Sequence, residues 1–95
     1  MTLDPEFSKQ TSSLIEQTLE LYKMAGASPR VSQLWKCQNV GDFLCGFFVG
    51  EMVGSALSAF QIVYKREPTA EEHIEIIELV ESHSRDIKDF FAKFN

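Results

Sequence analysis

Apolar residues fall along this chain in three blocks, each with its own rhythm. In the first, Phe7, Leu14, Ile15, Thr18, Leu21, Tyr22 and Ala25 recur at threes and fours, while Ser8, Lys9, Ser12, Ser13, Glu16, Gln17, Glu20 and Lys23 fall opposite. That spacing predicts a helix with one buried face. Asp4, Pro5 and Glu6 supply its start: the Asp side chain accepts from the first free amides, Pro has no amide to leave unpaired, and an acid suits the positive end of the helix dipole. Gly26 ends it, because glycine readily takes the left-handed conformation common just past a helix. The predicted span is 5 to 25.

The second block, Phe43 to Tyr64, reads FLCGFFVGEMVGSALSAFQIVY, 22 residues with the single charge Glu51 near the middle. It is apolar on every side, so it needs cover on more than one side. Asn39 followed by Asp42 resembles a capping box with Asp in place of Glu, which starts this helix near residue 40. Pro68 bars its continuation past about 66. In the third block, Thr69 and Glu72 complete a Thr-x-x-Glu capping box. His73, Ile76, Ile77, Val80, His83, Ser84, Ile87, Phe90, Phe91 and Phe94 then line one face of a helix expected to run from 69 to 93. Between the first two blocks, Ser28 and Pro29 followed by Val31, Leu34 and Trp35 predict a short helix or structured loop over 29 to 36. No strand pattern interrupts these. The expected fold is all-α, a single domain over 1–95: an antiparallel three-helix bundle with an additional short helix between helix 1 and the central helix.

Charge narrows the partners. Fourteen acids against nine bases give −5, the wrong sign for a broad phosphate-binding surface, so nucleic acid is expected only through a partner. The bases Lys23, Arg30, Lys36, Lys88 and Lys93 gather toward one end of the bundle, but Asp42, Asp86 and Asp89 fall in the same region, which makes a solvated surface of it. Cys37 and Cys45 match neither a CxxC pair nor a zinc set, and read as idle thiols in a reducing compartment. The first residues, MTLDPEFSK, show no basic region followed by an apolar run, so the expected location is cytoplasmic.

Two features of the central block need an explanation. Gly46, Gly50 and Gly54, continued by Ser58, keep a four-residue beat, and each glycine costs about 1 kcal/mol relative to alanine inside a helix. Close approach of another backbone is what side-chain-free positions permit. That neighbour is either the first or last helix of this chain or a helix of another subunit. Glu51 must find a partner, reach solvent or take a proton. Counting outward from a turn centred on Glu67 sets it level with His83, and the two are expected to form a buried polar pair. Trp35 is either a lid over the core or an anchor for a partner.

Chemistry is sparse. No Ser, Cys or His nucleophile set is present and no helix carries Glu-x-x-His, while His73 and His83 stand about 15 Å apart along a helix, too far to share a metal ion. No catalytic, metal or cofactor site is expected. The function read by elimination is a small non-catalytic protein-interaction module, an accessory or regulatory subunit in a homodimer or hetero-complex. Its contact residues are Gly46, Gly50, Gly54, Ser58, Val31, Leu34 and Trp35. Two alternatives remain. One is a small membrane or membrane-associated protein, since 22 residues span about 33 Å and small-xxx-small ladders pack membrane helices; against it, Glu51 at the midplane costs a few kcal/mol, and the flanking helices would have nothing to cover. The other is an enzyme or apolar-ligand carrier using Glu51 beside a cavity.

Overall fold

Helix α1 covers Pro5–Ala25 and begins as its sequence dictates, with Asp4 Oδ1 accepting from the Glu6 amide at 2.8 Å. A computed structural model describes residues 3–25 and 35–94, and among these the chain is all-helical, with no strand. Other helices among the described residues are α2 (Val40–Tyr64), α3 (Ala70–Glu81) and α4 (Ser84–Ala92). The short helix expected over 29 to 36 lies largely outside the described residues, as do Val31 and Leu34.

Helix α2 stops two residues before the expected limit. Lys65 takes the left-handed conformation, φ 57°, and closes the last turn with its amide on the Gln61 carbonyl at 2.9 Å. That leaves Arg66 free to fold back. Its guanidinium lies 5.0 Å from the Phe60 ring centre and makes a two-pronged bond to Glu72, at 2.8 and 2.9 Å. Glu72 also closes the capping box: its Oε1 accepts the Thr69 amide at 2.8 Å, and Thr69 Oγ1 accepts the Glu72 amide at 3.2 Å. The turn between α2 and α3 is therefore held by one acid serving two partners, and Pro68 needs only to prevent the helix from running on.

The single helix expected over 69 to 93 is two. Ser82 Oγ bonds back to the Leu79 carbonyl at 2.6 Å, and His83 takes the N-cap position of α4 with φ −99° and ψ 10°. Serine hydroxyls compete with the backbone ladder in this way, and Ser82 and Ser84 flank the break. Apolar phase survives it, because Val80 and Ile87, seven residues apart, are both fully buried.

Aromatic contacts give the helix directions. Phe7 meets Phe60 edge-on at 5.7 Å and Tyr22 meets Phe48 at 5.0 Å, so α1 and α2 run in opposite senses. Phe48 also meets Phe91 at 5.6 Å, while α3 packs beside α2 nearer the turn. The core falls into two clusters. The larger unites Ile15 and Leu19 of α1, Leu44, Phe48 and Met52 of α2, Val80 of α3, and Ile87, Phe90 and Phe91 of α4. The smaller holds Leu3, Phe7, Ala56, Phe60 and Ile76.

Candidate functional site

Beyond Gly41 in its first turn, the buried positions on α2 form one row at intervals of four, Leu44, Phe48, Met52, Ala56 and Phe60. The glycine row lies two positions further along, about 200° around the helix, and so points away from the core. Gly46, Gly50, Gly54 and Ser58 are all exposed. Among the described residues, a Cβ at any of the three glycines would meet no atom within 4 Å beyond its chain neighbours and the nearby backbone of its own helix. Close approach by α1, α3 or α4 is thus excluded as the reason for the ladder among the described residues. Of the most apolar 18-residue window of α2, with mean hydropathy 1.6, only 28% is buried. Phe47, 48% exposed, stacks on Phe43 beside the glycines with ring centres 6.4 Å apart. Trp35 is 67% exposed just ahead of α2, so it does not act as a lid.

The expected Glu51–His83 pair does not form. Glu51 is exposed and accepts from the Tyr22 hydroxyl at 3.4 Å, whereas His83 Nε2 lies 2.6 Å from Ser12 Oγ. Register along the turn was the wrong guide, because roll decides which flank a side chain occupies. Glu51 precedes buried Met52 by one residue, about 100° round the helix, and that turn carries it to the α1 side. His83, at the break between α3 and α4, also faces α1 but at a different level. Sequence reasoning placed Tyr22 on the apolar face of α1 without assigning its hydroxyl, and left Ser12 among the solvent-facing residues. The signal for Arg66–Glu72 was present as opposite charges on either side of a proline turn.

Ionisation follows these contacts. The Tyr22 hydroxyl is pushed up by burial, then by the adjacent Glu51 charge and its hydrogen bond. Cys45 is also pushed up, by burial first and by Asp42 second, with Lys88 opposing. Its thiol sits at a hollow lined by Gly41, Asp42, Lys88, Phe91 and Ala92, and a raised pKa keeps it in the less nucleophilic protonated form. The Glu72 carboxyl is drawn down to about 2, by Arg66 first and the Thr69 amide second. Among the described residues no three His, Cys, Asp or Glu side chains cluster as metal ligands. Of the expected basic group, Lys23 pairs with Glu20 at 3.2 Å and Lys93 lies 4.3 Å from the Phe90 ring centre.

No family model matches the chain, and comparison with curated proteins and with solved structures gives no match.

Proposed function

We propose that this chain is a small non-catalytic protein-interaction module, an accessory or regulatory subunit, cytoplasmic, that docks through the outward face of α2 with Trp35 at its edge. The helices are read as an up-down-up bundle in which α3 and α4 together make the third leg. The observation that carries the reading is the open space at Gly46, Gly50 and Gly54. Three interior glycines cost about 3 kcal/mol of helix stability, and no neighbour within the described chain offsets that cost. Close contact with another helix is the use that such positions serve. Phe47 supplies an exposed aromatic anchor on that face, and exposed Trp35 a second at its edge.

One observation also favours a second reading, that the face meets lipid: α2 has 25 residues and is apolar enough to cross a bilayer. Glu51 argues against spanning, being an ionisable side chain halfway along the segment. The test is to express the chain without detergent and follow its sedimentation and its flotation with phosphatidylcholine vesicles. A soluble, helical chain that stays with the aqueous phase and loses association when Gly50→Leu is introduced supports the protein-binding reading. Recovery only in detergent, or co-flotation with vesicles, overturns it.

A further inference from the structure

Helix α1 is seated differently from the other described helices. Among the described residues, the buried side of α2, α3 and α4 carries one charged group, Glu72, and its carboxylate is fully engaged by Arg66 and the Thr69 amide. On α1 the buried residues run Phe7, Ser8, Thr11, Ile15 and Leu19, so two hydroxyl side chains stand between the apolar ones. Ser8 Oγ has no hydrogen-bond partner there. Of the seven largest fully buried side chains, six lie on α2, α3 and α4, and only Ile15 on α1.

The polar fastenings of this segment are of a kind that water replaces. The Leu3 amide bonds to Glu75 at 2.8 Å and Ser12 Oγ meets His83 Nε2 at 2.6 Å, both part-buried, while the Tyr22 hydroxyl reaches exposed Glu51 only at 3.4 Å. Each is worth little net against solvent. The rest of the core has ties that include no α1 residue: the Arg66–Glu72 fork at the α2–α3 turn, and the Phe48 ring 5.6 Å from Phe91 between α2 and α4.

We infer that α1 is a strap, which lifts from α2, α3 and α4 as one unit while those three stay folded together. Opening gives Ser8 Oγ the water that the closed seat denies it, and it returns Thr11 and Ser12 to solvent at no loss. Once lifted, α1 does not persist as a helix, because five of its 21 residues are Ser or Thr and an isolated helix of that length is marginal even for better formers. What holds it shut is apolar: Phe7 against Phe60 and Tyr22 against Phe48, with Ile15 and Leu19 in the larger cluster. That burial confines the lifted state to a small fraction of molecules. The seat lies on the buried row of α2, on the opposite side from the glycines, so the device is independent of the docking face.

The test is native-state amide exchange on the whole chain at pH 7 over a series of low urea concentrations. The Ile15 and Leu19 amides should exchange at least about tenfold faster than those of Phe48 and Val80, with a weaker urea dependence, because lifting α1 exposes less surface than global unfolding. Glu72→Gln loosens the α2–α3 turn, which is made in the closed and lifted states alike. It should therefore speed exchange at Phe48 and Val80 and leave Ile15 and Leu19 unchanged. Equal rates and equal urea dependence in α1 and α2 overturn the inference, and the unmodified chain decides this without the variant. A Glu72→Gln chain in which all four amides speed up in step overturns it as well, since α1 then opens only with the whole. Fast exchange at Ile15 beside exchange at Leu19 as slow as at Phe48 also overturns it, because α1 then frays and does not lift as a unit.

Discussion

Glu72 ties the α2–α3 turn together, because it binds the Arg66 guanidinium and caps α3 with the same carboxylate. Its folded pKa, about 2, lies below the unfolded carboxylate value. The stabilisation is therefore present above the ordinary glutamate range and is lost as pH falls toward 2. Glu72→Gln keeps a capping-box residue but removes the charge. Urea unfolding at a series of pH values should find this variant less stable than wild type at pH 7, with the gap closing through that acid window. Ser8 offers the opposite case. Its Oγ is buried with no hydrogen-bond partner among the described residues. Ser8→Ala removes an unsatisfied hydroxyl from a helix interior and should raise stability by about 1 kcal/mol, or some 4–8 °C in Tm for a domain this size.

Between elements, the contact that matters is Ser12 with His83, which ties the middle of α1 to the break between α3 and α4. His83→Ala should cost about 1 kcal/mol and speed amide exchange in α4 more than in α3. A double-mutant cycle with Ser12→Ala should show coupling, and one with Glu51→Gln should be additive. The elements themselves were largely legible in the sequence. Asp4-Pro5 and the Thr69–Glu72 box mark two helix starts, and Pro68 marks the turn. The break at Ser82–His83 was not legible, because an apolar repeat with Val80 and Ile87 seven apart is the same for one helix or two. Likewise the four-residue beat of Gly46, Gly50 and Gly54 permits a close approach from any side, and among the described residues no helix makes one. The partners of Glu51 and His83 depend on how each helix is rolled about its axis, and spacing along the chain does not record that.

At the scale of the molecule, the longest extent is 38 Å, which is the length of α2 itself at about 1.5 Å per residue. The other described helices lie along this one shaft, and none of them covers its glycine side. Phe48 is fully buried and touches both Tyr22 and Phe91, so Phe48→Ala should cost about 3–5 kcal/mol, measured by denaturant unfolding, whether or not the chain associates. The division of the core along the shaft has a further effect. The cluster of Leu3, Phe7, Ala56, Phe60 and Ile76 has its own fastenings, the Leu3 amide on Glu75 at 2.8 Å and Arg66 on Glu72, which do not reach the larger cluster. Each end of the rod can thus open while the other stays shut, the smaller end at lower free energy because fewer side chains hold it. Native-state exchange should rank amides near Phe60 and Ile76 as less protected than those near Phe48 and Val80. Equal protection at both ends would mean that the rod opens as one body.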